Sequence, residues 1–407
     1  MPVPLYWRVA CRAYHCVIYL ISHVIRWRTP VVIKGAGSLS SLPKFVHSVK
    51  LQRGLLVTDA AIMKLGLADD LISEMKKHGA ELAIYGDVLP NPTLSMVEDA
   101  NELYKKNKCG YIIAVGGGSV MDCAKLVGVR QARPRTPLGS MRGILRVLWP
   151  LPPIIAVPTT AGTGSECTIA AVVVDPAHND KFAVMDPFLT PRYCVLDPQL
   201  TVGLPKFITA TTGMDTLTHA VESYINVFHY PKTDQAAIRA VELVAKYLLR
   251  AYEKGDDIEA RENMLEGAFL GGVAFTRACV GNVHAAAHAV GGLYNVPHGF
   301  ANAVILPRVL DMYGSTIYKP LARLADAAAI RGVTEEDKAK NFIAWIRELN
   351  VRMQIPPTLG ANDERYRILD KDIPFLVRHA LREANPFYPV PVIFGEAEMT
   401  AVFNSVR

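Results

Sequence analysis

The chain has 407 residues, 50% of them hydrophobic and 20% charged, with a formal net charge of +6. That is enough for two globular domains with real cores, and the absence of any Lys/Arg-rich block interleaved with aromatics argues against a nucleic-acid face. The seven cysteines are odd in number and form no Cys-x-x-Cys pair, so they read as free thiols of a reducing, cytoplasmic compartment rather than a disulfide framework.

Residues 1–29 stand apart from the rest. They carry Arg8, Arg12, Arg26 and Arg28 and no acid, among aromatic and aliphatic residues. The uninterrupted apolar run at 16–21 is too short to span a bilayer. A secretory signal fits poorly, and a mitochondrial presequence would be richer in serine. The expectation is a basic apolar helix that either makes peripheral contact with a membrane surface or packs on the protein's own core or a partner subunit.

From residue 31 strand and helix alternate. VVIKGAGSL reads as a strand and turn, GLLVTDA (54–60) as a strand ending at Asp59, and the stretch to about His78 as helix. A second strand covers 81–88, a helix 92–108, and a third strand, YIIAV (111–115), runs into Gly116, Gly117, Gly118 and Ser119 and then a further helix. Residues 152–158 form a buried strand leading into a loop rich in Thr, Gly and Ser, and 168–175 and 192–198 are further strands. This alternation predicts an α/β domain with a parallel sheet.

The strand–glycine–helix step places main-chain N–H groups and a positive helix end against a phosphate. Gly117 and Gly118 allow a pyrophosphate close approach, Ser119 can donate a hydroxyl, and the loop from Thr159 offers more donors. Asp59 can accept from both ribose hydroxyls and would repel a 2′-phosphate, favouring NAD over NADP; an aspartate there is equally natural as a helix N-cap. Lys181 can bond a ribose or phosphate.

After Pro205 strand signals fade, and helices are expected near 206–227, 233–253, 259–278, 282–291, 299–313, 318–330 and 336–349, with weaker ones after 370. The expected division is therefore an extension at 1–29, a NAD-binding domain at 30–204 and an all-helical metal-binding domain at 205–407, with the site in the cleft between the last two. In this second half Asp215 and His219 stand four apart, as do His284 and His288, which places each pair on one face of a helix. His298 follows a Gly-Gly break and sits between Pro297 and Gly299, at a loop or helix start. One carboxylate and several imidazoles suit a divalent transition ion such as Fe(II) or Zn(II). Helical spacing alone does not decide between His284 and His288 as ligand.

The segments GGGSVMDCAK, PTTAGTGSE, GMDTLTHAVESY and HAAAHAVGGLYNVPHGFANAVILP, in this order and spacing, resemble those of the iron-containing (group III) alcohol dehydrogenases. The likeness runs from about residue 30 to the end. It implies the dehydroquinate synthase-like architecture, a dinucleotide-binding α/β domain followed by an all-α domain, and reversible hydride transfer between a primary alcohol or aldehyde and NAD(H). Carried over residue by residue, it makes Asp215, His219, His284 and His298 the metal ligands. His288 becomes a residue beside nicotinamide and substrate that passes the proton, and Asp59, Asn91, Gly118, Ser119, Thr160, Thr163 and Lys181 become cofactor contacts, with Gly117 and Thr159 adjacent. The family's ion is Fe(II), and Zn(II) fits the same donors. Family members are commonly homodimers or larger. Val120 and Ala289 depart from prolines that the family often carries, and neither removes a functional group. Glycerol dehydrogenases, the lyase branch of dehydroquinate synthases, metal-free maleylacetate reductases and an inert membrane-associated relative are the rivals. The extension makes a lipophilic, long-chain alcohol an attractive substrate.

Overall fold

The computed structural model describes residues 3–25, 27–49, 51–177 and 180–407. The chain divides into two compact units, one of residues 26–203 with 256–265, the other of residues 1–25, 204–255 and 266–407.

The first unit is built on strands β1 (Val31–Lys34), β2 (Arg53–Val57), β3 (Glu81–Tyr85), β4 (Tyr111–Gly116), β5 (Gly143–Ile144), β6 (Ile154–Pro158), β7 (Ala170–Asp175), β8 (Asp180–Met185) and β9 (Tyr193–Leu196). Six of these form a sheet in the order β1-β9-β6-β4-β2-β3, every neighbouring pair parallel. The two central strands, β4 and β6, are buried along their whole length, as strands covered on both faces must be. Alternation sorts their side chains. Leu55, Val57, Ile112, Ala114, Ile154 and Ala156 enter one apolar core, while Leu56, Ile113, Val115, Ile155 and Val157 enter the other. Each buried Val, Leu or Ile among them contributes about 1.5–3 kcal/mol.

Helix α1 (Leu5–Val24) belongs to the other unit. The helices of the α/β unit are α2 (Leu42–Ser48), α3 (Ala60–Lys64), α4 (Asp69–Lys77), α5 (Leu94–Lys106) and α6 (Gly118–Ala132). The single helix expected up to His78 is two helices, because Gly66 adopts φ +67° between them. Sequence patterning also missed β5 and β8. β8 pairs antiparallel with β7 and parallel with β5 in a separate three-stranded sheet, so 168–175 is not part of the parallel sheet.

The second unit contains α7 (Lys206–Ile225), α8 (Pro231–Glu253), most of α9 (Ile258–Ala278), α10 (Asn282–Tyr294), α11 (His298–Tyr313), α12 (Tyr318–Ala327), α13 (Glu335–Arg352), α14 (Ile373–Ala384) and α15 (Glu396–Val406). Helix α7 is its axis, buried at almost every position from Thr209 to Ile225. Small residues let neighbours approach it: a Cβ on Gly213 would collide with Leu248 of α8, and one on Gly299 with the Thr211 carbonyl. These close crossings bring polar groups on α7, α10 and α11 together.

Helix α1 buries Cys11, His15 and Ser22 on its inner side, and Ser22 Oγ lies 2.5 Å from the Tyr230 hydroxyl. Tyr19 stacks on Tyr230. Among the described residues no helix is long and apolar enough to cross a membrane. All seven cysteines are free thiols.

Candidate metal centre and dinucleotide site

Asp215 and His219 project from α7, His284 from α10, and His298 is the first residue of α11, immediately after Pro297. Proline there suits a helix entry, since its fixed φ costs nothing before the first turn. One ligand atom from each of the four residues lies within 4.8 Å of the other three. Asp215 Oδ1 is 4.0 Å from His219 Nε2, 3.8 Å from His284 Nε2 and 3.4 Å from His298 Nε2.

The rings are held as well as gathered. His219 is sandwiched between Phe275, 4.2 Å between centroids, and His284, 4.6 Å, both nearly parallel. His284 Nδ1 is 2.6 Å from Glu222 Oε2, so it carries the proton and leaves Nε2 as the free lone pair. Glu222 also accepts from the Val283 amide at 2.7 Å. Burial pushes the Glu222 carboxyl up to about 7, against the pull of the surrounding amides. Burial, and then the neighbouring His219, His298 and His288, hold the His284 imidazole well below its ordinary range. It is therefore neutral near pH 7, as a ligand must be.

The donor set fits a cation. Asn302, four residues after His298 on α11, directs its amide nitrogen into the centre of the set. It lies 2.7 Å from Asp215 Oδ1, 3.2 Å from His284 Nε2 and 3.1 Å from His298 Nε2. One NH₂ group has two protons for these three acceptors. The lone pairs converge on one electropositive point, which a divalent ion satisfies more completely than an amide. Asn302 Oδ1 is buried without a hydrogen-bond partner.

His288 is placed differently. Its Nδ1 is 2.6 Å from Glu383 Oε1 on α14, and its ring stacks on His298 at 5.1 Å. Tyr388 donates its hydroxyl to the same Glu383 oxygen at 2.5 Å. Burial alone would raise the Glu383 carboxyl; the electrostatic pull and hydrogen bond of the neighbouring His288, then the Tyr388 hydroxyl and His298, outweigh it and keep the group below its ordinary range.

In the α/β unit the predicted cofactor residues other than Lys181 follow the carboxyl ends of the adjacent strands β6, β4, β2 and β3, the place where open parallel sheets bind ligands, whereas Lys181 lies on β8 of the other sheet. Pairing of Gly116 with Pro158 sets the loop after β4 beside that after β6. An added Cβ on Gly118 would come within 2.8 Å of Thr163 Cγ2, and one on Gly117 within 3.6 Å of Thr160 Oγ1. Gly117 is the N-cap of α6, and no side chain caps the helix. This glycine cradle with uncapped first-turn amides fits a pyrophosphate. The Asn91 amide donates to Ser119 Oγ at 3.3 Å, and Lys181 Nζ to Asn91 Oδ1 at 2.8 Å, so these three form one group. Thr159 bonds back to Gly116 O through its amide. Asp59 follows β2 but caps α3, accepting from the Ile62 amide at 2.9 Å; the helix-cap reading of this residue is realised.

Glu222, Asn302, Glu383 and the buried Lys125 escaped sequence reasoning. The first two carried a signal, being three residues after His219 and four after His298, on ligand-bearing faces. Lys125 Nζ donates to Ser165 Oγ, to both oxygens of Thr168 and to Ala170 O at 2.8–3.0 Å. Asp122 accepts from Ser165 Oγ and the Val172 amide. The pair ties α6 to the 159–168 loop. Burial lowers Lys125 to about 8.

Beside them Glu166 is buried, and desolvation raises it from 4.5 to about 7. A carboxyl raised in the folded state contributes stability that is full below its unfolded value and is lost as pH rises through about 7. Unfolding free energies of metal-free protein should thus fall by about 3 kcal/mol between pH 4.5 and 7.5 on this account, and Glu166→Gln should remove that slope. Equal slopes in urea titrations of both proteins would refute the assignment.

A parallel α/β unit with a glycine cradle, joined to a helical unit with one carboxylate and three convergent imidazoles, defines a metal-dependent, dinucleotide-linked oxidoreductase. The chain belongs to the iron-containing alcohol dehydrogenase family. Residues 29–198 match the family described as iron-containing alcohol dehydrogenase, and residues 209–406 its C-terminal counterpart. Alcohol dehydrogenase 4 of Schizosaccharomyces pombe is 38% identical over 375 residues, 91% of this chain and 86% of that protein. The NAD-dependent methanol dehydrogenase of Bacillus methanolicus is 32% identical over 348 residues, 84% of this chain and 91% of the relative. A crystal structure of 1,3-propanediol oxidoreductase superposes with a TM-score of 0.89 at 35% identity, covering 94% of this chain and all of the other.

Proposed function

We propose that the protein is a metal-dependent, NAD-linked alcohol dehydrogenase interconverting a primary alcohol and its aldehyde, with Asp215, His219, His284 and His298 as metal ligands. The observation that carries this is the convergence of those four donors within 4.8 Å, three of them buried and His298 partly exposed. A divalent ion held there, Fe(II) by family habit or Zn(II), supplies a Lewis acid that favours the alkoxide of an alcohol and polarises an aldehyde carbonyl. The chain's own residues do the rest. Glu222 fixes the His284 tautomer, and Phe275 fixes the His219 ring. His288 accepts and releases the substrate proton, a task suited to imidazole. In the 30–204 domain Gly117, Gly118, Ser119, Thr159, Thr160 and Thr163 cradle the pyrophosphate and nicotinamide end of NAD, Asn91 and Lys181 contact the ribose or phosphate, and Asp59 retains one oxygen for the adenosine ribose. The likeness to alcohol, 1,3-propanediol and methanol dehydrogenases disfavours the dehydroquinate synthase-like alternative.

The test is NADH formation by apo, Fe(II)-loaded and Zn(II)-loaded protein across primary alcohols from ethanol to dodecanol. Metal-dependent turnover is expected. Confirmed binding of metal and NAD without turnover of any alcohol would overturn the reading.

For partners, we propose a homodimer or larger, to be read by light scattering, and peripheral contact with lipid through α1. Leu5, Val9, Val17, Leu20 and Val24 fall on its outer side and are all exposed. The same surface favours a lipophilic alcohol. The seven free thiols support a reducing, cytoplasmic location. Leu20→Glu with Val24→Glu should abolish flotation with anionic vesicles and flatten the chain-length preference; unchanged behaviour in both would dismiss the lipid contact.

A further inference from the structure

The segment after α14, Asn385-Pro386-Phe387-Tyr388-Pro389-Val390-Pro391, contains three prolines. Prolines donate no amide hydrogen, so such a stretch cannot hold itself in a ladder and its carbonyls need outside donors. Helix α1 supplies them. Arg12 Nη1 donates to Val390 O and Nη2 to Pro391 O, both at 2.7 Å. His15 Nε2 bonds Pro386 O at 2.8 Å. Tyr14 meets the Phe387 ring edge-on at 5.9 Å, and Val3 and Cys11 share a small apolar core with Val390 and Ile393, against which Tyr388 packs.

The braced segment reaches the site through two bonds. Tyr388 donates its hydroxyl to Glu383 Oε1, and the same oxygen accepts from His288 Nδ1. An imidazole that donates from Nδ1 keeps Nε2 as its acceptor, and its ring cannot rotate without breaking that bond.

We propose that Glu383 and Tyr388 are positioning residues that hold His288 as the Nδ1–H tautomer, and that the amino-terminal helix is the brace keeping Tyr388 in reach. This rests on the reading of His288 as the proton-handling residue. It gives the extension a role in catalysis separate from any lipid contact, since the inner side of α1 does this work.

The test uses full-length, Zn(II)-loaded protein with the fastest alcohol of the series above. Glu383→Gln should lower kcat about 10- to 100-fold, leave the KM for NAD and the metal content unchanged, and shift the ¹⁵N signature of His288 from a single Nδ1–H tautomer to a mixture. Combined with His288→Ala it should cost nothing further, because residues acting as a unit are not additive. Tyr388→Phe and Arg12→Ala should move the same signature in the same direction by less, and Arg12→Lys should restore part of it. A Glu383→Gln protein with unaltered tautomer and kcat, or losses that multiply with those of His288→Ala, would overturn the positioning role. An Arg12→Ala protein that folds, loses thermal stability and keeps the wild-type ¹⁵N signature would overturn the brace; should it not fold, Arg12→Lys is read the same way. Full activity of His288→Ala would instead strike the reading beneath.

Discussion

Replacing Asp215 by alanine is expected to remove the metal and lower turnover on the order of 10³-fold, since a Lewis acid contributes several kcal/mol to the transition state. The reason lies in charge as much as geometry. Asp215 is the single carboxylate among the four donors, and its side chain is 3% exposed. Without it three neutral imidazoles would face a doubly charged ion in a site where Asp215, His219 and His284 are buried, a charge left largely uncompensated at some cost. Asp215 Oδ1 also accepts from Asn302 Nδ2 at 2.7 Å, so its loss strips the amide of its shortest contact. Asp215→Asn keeps the shape and removes the charge, and should lose most of the metal as well. Elemental analysis beside NADH formation checks both; a stoichiometrically loaded, active alanine variant would contradict the assignment.

Much of the fold is legible in the sequence. Strands separated by helices announce a parallel sheet because each crossover needs a helix to return the chain, and β2, β4, β6 and β9 all lay where the apolar runs placed them. β8 did not. Its DKFAVM opens on two charged residues and earns its place only by pairing with β7, a long-range fact no local pattern carries. The proposed metal set is legible for a similar reason, since i, i+4 spacing needs only a helix. Periodicity could not choose between His284 and His288, because both lie on one face of α10. Tertiary partners decide: Glu222 on α7 turns His284 toward Asp215, whereas Glu383 on α14 holds His288. Glu383 is 95 positions from His288, and nothing in the local sequence marks it. The inner side of α1 was likewise illegible, because its partners are carbonyls of a distant proline-rich segment and backbone acceptors leave no trace in composition.

Gly299→Ala is expected to disable the metal centre without touching a ligand. A Cβ at this position would collide with the Thr211 carbonyl oxygen, lie 2.8 Å from the Thr211 carbonyl carbon and come within 3.4 Å of Asp215 Cβ. The first two are main-chain atoms inside α7, buried on all sides, and cannot give way as the end of a flexible side chain can. The first turn of α11 must therefore withdraw from α7, and His298, one residue before Gly299, withdraws with it. His298 Nε2 is only 3.4 Å from Asp215 Oδ1, so a displacement of a few tenths of an ångström or more spoils the convergence. Overpacking of this kind costs about 1–3 kcal/mol in stability, and metal affinity should fall by roughly 10- to 100-fold, the scale found when a ligand's support is removed. Gly292→Ala is the control. It sits near the end of α10 with nothing within 4 Å of an added Cβ, and a helical Gly→Ala change there should add up to about 1 kcal/mol. Metal titration of both variants separates the cases. If Gly299→Ala bound metal as tightly as Gly292→Ala, the close crossing of α7 and α11 would not be what holds His298 in the set.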